Sequence, residues 1–388
     1  MAVAAAVPAV ATAQVTISGL LDFAYGNASG FQKGQTISTR DFTSATSSIR
    51  FTATEDLGGG MRATVQYDLD PRVWINNDTG IVRNESFLGL SGGFGNIRLG
   101  SPNSIGLTTF LIASPLGTGI GSGYGNVATA YSFVRHSRSL RYDSPSLQGV
   151  VLSFNYAPGG DNLSAAANSA NAGSQITPVS QEVREFGASY TAGPLALGLA
   201  YIELPGRTHS QTLAAPAGTA EQSLDHTVLS GRFTFGTTQF SAGWNTGDLI
   251  NPIGIGTSVD GVVLAVAGSV TGGSSVGTRS APGTAKFKSD GWRIGIQHDM
   301  GAISLRGSYA QQDLSLSSGA PVGATRGTSA STVDWSVLGL RADYSMSKRT
   351  ALYFGFEQWN VPKELADDTT GKVSDKRTLT SVGMRHSF

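Results

Sequence analysis

Polar and apolar residues take turns along this chain in stretches of about ten residues, separated by segments rich in glycine, serine and asparagine. In Met61–Asp70, residues Arg62, Thr64, Gln66, Asp68 and Asp70 alternate with Ala63, Val65, Tyr67 and Leu69. A β-strand points successive side chains to opposite faces, so this segment has one wet and one greasy face. The split returns at 292–298, where Arg293 and Gln297 oppose Trp292, Ile294 and Ile296, and again at 302–312 and 352–358.

Connections of two lengths join these stretches. Short turns are predicted at 56–60, 92–95, 145–149, 193–194, 236–237, 299–301 and 345–349. Long loops are predicted at 27–46, 71–82, 103–137, 159–181, 204–224, 248–286, 313–331 and 359–375. Seven turns and eight loops make fifteen connections, hence sixteen strands with both termini on the short-turn side. Residues 262–270 are apolar enough to hold a further strand pair, which would raise the count to eighteen.

Composition decides what such strands enclose. Charged residues are only 14%, against about 25% in soluble domains. Glycine is 51 of 388, well above the usual share of about 7%. Low charge points to a lipid-facing surface, yet no run of eighteen apolar residues is present to form a membrane helix. A chain that enters lipid without such helices must satisfy its backbone by closing a sheet on itself. The predicted fold is therefore all-β: a sixteen-stranded antiparallel transmembrane barrel, with no plug domain ahead of the first strand. Tyr25, Tyr67, Tyr142, Tyr156, Tyr190, Tyr201, Tyr309, Tyr344 and Trp359 fall near strand ends, as aromatic girdles of such barrels require. A soluble propeller would repeat its motif at about forty to fifty residues, and no such repeat is found.

Residues 1–13 end in Ala11-Thr12-Ala13, a small-residue cleavage pattern. They read as the remnant of a signal peptide, with a single barrel domain over 14–388. Zero cysteine fits export without disulfides. Zero net charge gives a nucleic-acid partner no electrostatic footing. Gly89-Leu90-Ser91-Gly92-Gly93 matches a nucleophile-elbow spacing but runs from a strand into a hairpin turn, not into a helix, so catalysis is not expected there. His136, His209, His226, His298 and His386 have no metal-ligand spacing, and no cofactor or metal is expected. His298 and His386 are placed at the interfacial band. The loop acids Asp367 and Asp368 read as solvated carboxylates.

Several stretches are similar to a known family. The chain closes on Val382-Gly383-Met384-Arg385-His386-Ser387-Phe388, which resembles the terminal-phenylalanine assembly signal of bacterial outer-membrane proteins. Leu140-Arg141-Tyr142-Asp143-Ser144-Pro145, the turn region around Tyr344-Ser345-Met346-Ser347-Lys348-Arg349, and the opening Val15-Thr16-Ile17-Ser18-Gly19 resemble Gram-negative general-diffusion porins of the β-proteobacterial type. The resemblance implies an outer-membrane homotrimer surrounded by lipid and lipopolysaccharide. It also implies delivery by the barrel-assembly machinery through Phe388, and a third loop (103–137) folded inward to constrict the pore.

Selectivity in such a pore follows the charge of its narrowest ring. The polar faces place Arg50, Arg62, Arg98, Arg141, Arg232, Arg293, Arg306, Arg341 and Arg385 inside, with Asp22, Asp68, Asp70, Asp143, Glu185, Asp343 and Glu357. The third loop holds no Asp or Glu but does hold Arg135. An electropositive constriction built from Arg50, Arg62, Arg98, Arg135 and Arg141 is expected, passing small ions and solutes with modest anion preference. Pairing of these arginines with inward acids such as Asp68 and Asp143, as struts of the wall, stands as the alternative. A substrate-specific porin for sugars or organic acids, using Tyr124, Tyr131 and Phe133 of the third loop, is the competing function.

Overall fold

The structure is a computed structural model that describes residues 14–30, 39–43, 47–70, 82–123, 135–136, 138–158, 182–210, 219–250, 258–259, 262–263, 286–318, 332–360 and 376–388. The candidate signal remnant (1–13), Tyr124, Tyr131, Phe133, Asp367 and Asp368 lie outside the described residues.

The barrel begins with β1 (Gln14–Gly30) and β2, a strand in two pieces (Thr39–Thr43 and Ser48–Gly58) that both pair with β1. It continues through β3 (Met61–Asp70), β4 (Val82–Gly92) and β5 (Gly95–Ser101). A helix, α1 (Ile105–Ile112), then precedes β6 (Ser139–Asp143), β7 (Val150–Ala157) and β8 (Val183–Ala192). The next strands are β9 (Leu195–Ser210), β10 (Thr219–Phe235), β11 (Thr238–Ile250) and β12 (Lys286–Met300). The last are β13 (Ile303–Ser318), β14 (Thr332–Ser345), β15 (Thr350–Asn360) and β16 (Lys376–Ser387). Every strand pairs antiparallel with its sequence neighbours, and β16 returns to β1 from Leu20↔Ser387 to Gly30↔Arg377. The sheet is closed, so no edge is left to meet lipid. Residues 258–259 and 262–263 pair only with each other, outside this sheet, so the count is sixteen and not eighteen.

The period of two sets inside and outside. Val65, Tyr67, Leu99, Leu152, Trp244 and Ile294 are exposed on the outer face, while Asp22, Asp68, Arg141, Asn155 and Arg293 are buried on the inner one. Water lies on the concave side and lipid on the convex side, the reverse of a soluble barrel. Of the expected girdle aromatics, Trp359 is corrected. It is 4% exposed and donates through Nε1 to the Glu357 carboxylate, on the inner face of β15. His298 and His386 sit on the outer face beside short turns, each ring Nδ1 paired with a threonine hydroxyl (Thr238 at 2.8 Å, Thr350 at 2.9 Å).

The barrel seam depends on one glycine. Gly19 and Phe388 exchange both backbone hydrogen bonds (3.0 and 3.1 Å), and the Phe388 ring occupies the space of a Cβ on Gly19, with Cζ 2.5 Å from that position. Gly19→Leu is expected to force the terminal ring out, at an overpacking cost of about 1–3 kcal/mol. Heat-modifiable gel migration should show the folded band lost at lower temperature. Phe388→Ala should add little to Gly19→Leu, because the same contact is already gone; full additivity would sink this account.

Candidate functional site at the inward-folded loop

Between β5 and β6 the chain turns into the barrel. Ser104 caps α1, its hydroxyl accepting the Leu107 N–H at 2.9 Å, and the helix ends at Ala113, two residues before Pro115 removes the next donor. Ile105, Leu107 and Phe110 are buried against the wall, and α1 lies on β8, β9 and β10.

Three buried charged residues fasten this loop. Glu185 on β8 accepts the Ile105 N–H at 2.9 Å, the Gly106 N–H at 3.5 Å and the Asn155 amide at 2.7 Å, with His136 Nε2 at 3.5 Å. A carboxylate suits that place because the first amides of a helix lack partners and carry positive charge. Arg293 on β12 donates to the Ser122 carbonyl and lies 4.1 Å from the Phe110 ring centroid, so one side chain grips two points of the loop. Glu357 on β15 accepts the Gly121 N–H.

Space for the loop comes from a track of glycine and serine around the inner wall. Gly187 (β8), Gly198 (β9), Ser230 (β10), Gly243 (β11), Gly295 (β12), Ser308 (β13) and Gly339 (β14) lie on successive strands. Gly198↔Ser230, Ser230↔Gly243, Gly295↔Ser308 and Ser308↔Gly339 face one another directly. A Cβ on Gly198 would come 2.6 Å from Ile112 Cδ1, and one on Gly295 2.6 Å from Pro115 Cδ; on Gly187 it would strike Ile105, and on Gly339 the Gly121 backbone. Two serines bond the loop directly: Ser241, beside the track, donates to the Ala113 carbonyl at 3.1 Å, and Ser308, within it, to the Gly121 carbonyl at 3.0 Å. Glycines inside strands admit a close approach, made here by Ile105, Ile112 and Pro115 side chains and, at Gly339, by the loop's own backbone.

Two charged clusters flank the loop. In the first, Arg50 pairs with Asp68 at 3.0 Å and Glu85 at 3.9 Å, Arg98 pairs with Glu85 at 3.5 Å and with Asp143, and Arg141 pairs with Asp143 at 3.0 Å. Glu85 also accepts the Asn103 N–H at 3.1 Å, and Arg141 donates to the Asn103 carbonyl at 2.7 Å, which ties the cluster to the loop root. Arg98 and Arg141 are directly opposed across β5 and β6, a like-charge pair that Asp143 bridges. The second cluster repeats the device. Arg306 and Arg341 are opposed across β13 and β14. Asp343 accepts Arg341 at 2.7 Å, with Arg306 at 3.5 Å and Arg385 at 3.8 Å. Arg306 reaches the Pro115 carbonyl at 3.5 Å, so this cluster also stands at the loop. In both clusters the bridging acid follows an arginine by two residues: Arg141-Tyr142-Asp143 and Arg341-Ala342-Asp343.

The expected site residues thus fall into three groups. Arg50, Arg98, Arg141, Asp68 and Asp143 meet in one network, and the arginines in it are paired, which favours the strut alternative over a purely basic arc. Arg62 is opposed to Asp56 beside the Gly59-Gly60 turn, at the strand end away from the loop, and takes no part in the cluster. Arg135 pairs through its backbone with Asn103 at the loop root. Glu85, Arg306, Arg341 and Arg385 also belong to the ionic clusters beside the loop. Of these, Glu85 is new as an inward residue, and the arginines are newly placed beside the loop.

A closed sixteen-stranded barrel with polar interior, greasy exterior and an inward loop flanked by ionic clusters defines an outer-membrane pore protein. The family model described as Gram-negative porin matches residues 1–361, and the chain belongs to that family, which is one of channel proteins and not enzymes. It is an outer-membrane protein. The major outer membrane protein P.IB of Neisseria gonorrhoeae is 35% identical over 167 residues, 40% of this chain and 46% of that protein; the match therefore spans about half of the relative's length. P.IB of Neisseria lactamica is 34% identical over 128 residues, 33% of this chain and 37% of that protein. Among solved structures, the anion-selective porin from Comamonas acidovorans has a TM-score of 0.65 at 18% identity, over 97% of this chain and 100% of that chain. A trimer form of OmpT from Vibrio cholerae has a TM-score of 0.62 at 13% identity, over 97% and 99%. At these identities the structures share the fold.

Proposed function

We propose that the protein is a homotrimeric general-diffusion porin that passes small hydrophilic solutes and ions with a modest preference for anions. One observation carries the preference: in each flanking cluster the most exposed charge is an arginine, and the acid it pairs with is covered. Side-chain exposure is 40% for Arg50 and 27% for Arg385, against 3% for Asp68 and 3% for Asp343. A permeating ion therefore meets guanidinium ends first, with their counter-charges set behind them in the wall. The 103–137 loop contributes no opposing carboxylate. Arginine suits the task because it stays charged and its planar fork holds carboxylates and phosphates only in passing. The anion-selective character of the Comamonas acidovorans structure and the trimer form of OmpT support the same reading. Lipopolysaccharide around the apolar band and recognition of Phe388 by the assembly machinery belong to it as well.

Planar-bilayer recording under a KCl gradient tests it. Conductance steps grouped in threes, with a reversal potential of anion sign, are expected. A cation-sign potential would reject the role given to Arg50 and Arg385, and folded protein that conducts nothing would reject the porin reading.

A further inference from the structure

Arg293 is anomalous among the inward arginines. It is 2% exposed, yet no carboxylate among the described residues pairs with it, and its Nε and Nη1 have no hydrogen-bond partner. Among the described residues, the Ser122 carbonyl, taken by Nη2, and the Phe110 ring meet the guanidinium. A ring face and one carbonyl attract a cation but supply no full counter-charge, and burying an uncompensated ion is strongly unfavourable. The neighbouring strand presents a second unmet group. Asn245 on β11 is fully buried, and both its Oδ1 and its Nδ2 are without partners. Gly243 opposes Arg293 and Asn245 opposes Gly291, so Asn245 and Arg293 are same-face diagonal neighbours within reach of long side chains. Two guanidinium nitrogens without partners and a buried amide thus sit at diagonal same-face positions of neighbouring strands, beside a single positive charge.

We infer that a small monovalent anion of halide size resides behind the third loop, held by Arg293 Nε and Nη1 and by the Asn245 amide. The donors match an acceptor that carries no proton, and one negative charge neutralises the site. The ion is a resident of the loop's seat, apart from the wet arginines of the pore. The inference stands whether or not the open channel prefers anions.

The test uses bromide as the probe on the full-length folded protein. Crystals grown in sodium bromide and measured at the bromine absorption edge should show an anomalous peak between the Arg293 guanidinium and Asn245, lost in Arg293→Met. In parallel, the thermal midpoint of the detergent-folded protein should rise with the logarithm of bromide concentration when gluconate is exchanged for bromide at constant ionic strength. In Arg293→Met that slope should be flat, and a slope is readable even if the variant's absolute midpoint moves. A site that holds only water, or bromide found solely at Arg50 and Arg385, overturns the inference, as does an unchanged slope in the variant.

Discussion

Gly339→Val is expected to roughly double the single-channel conductance, because it lifts the third loop from its seat. Gly339 faces the Gly121 backbone, so a branched side chain has no rotamer that avoids it. The wall cannot yield either, since Ser308 and Glu357 pair with Gly339 on both sides in the ladder. The loop, fastened at this point by two hydrogen bonds involving Gly121, is the softer partner. Gly295→Val should act alike through Pro115, whereas Gly231→Ala on the outer face meets only the mobile end of Leu197 at 3.3 Å and serves as control. Heat-modifiable migration separates a misfolded barrel from an open one. Folded Gly339→Val with unaltered conductance would mean that the loop does not set the bore.

The second large effect concerns sign. Arg50→Glu combined with Arg385→Glu should swing the reversal potential from the anion to the cation side. Each exchange alters the local charge by two, at the two most exposed cations of the paired network. The acids behind them, Asp68 and Asp343, then lose a partner and add their own field. The swing should be largest in dilute salt, since screening acts over about 10 Å at 0.1 M ionic strength. Arg62→Glu makes the same chemical change near the Gly59-Gly60 turn and should hardly move the potential. Equal effects from Arg62 and Arg50 would show that selectivity is set by the whole lumen and not at the loop.

These contrasts mark where sequence reading succeeds and where it stops. Alternation is a local property with a period of two, so the inward parity of Asp68, Arg141, Arg293 and Asp343 is legible from their neighbours alone. Glu85 escaped because Asn84, Glu85 and Ser86 are all polar, and three polar residues in a row do not say which face is wet. Arg62 shows a different limit: parity assigns a face but no height, and only the barrel's closure tells which rung lies level with the loop. The pairing of Arg98 and Arg141 across β5 and β6 needs the strand register, which the long third loop between these strands does not fix locally. In the sequence the glycines at 187, 198, 243, 295 and 339 register only as part of a raised overall glycine content. That they line up, and that the loop is what lies on them, emerges only when seven strands stand side by side.

That seat separates two properties that most binding sites bind together. Since the loop is seated by one face of α1, by Pro115 and by the Gly121 backbone, its position is indifferent to the side chains on its other face. Residues such as Leu111, which is 36% exposed toward the lumen, are free to change character while the aperture keeps its diameter. Bore and chemistry are thus independently mutable, so a lineage or an engineer can retune what passes without rebuilding the hole through which it passes.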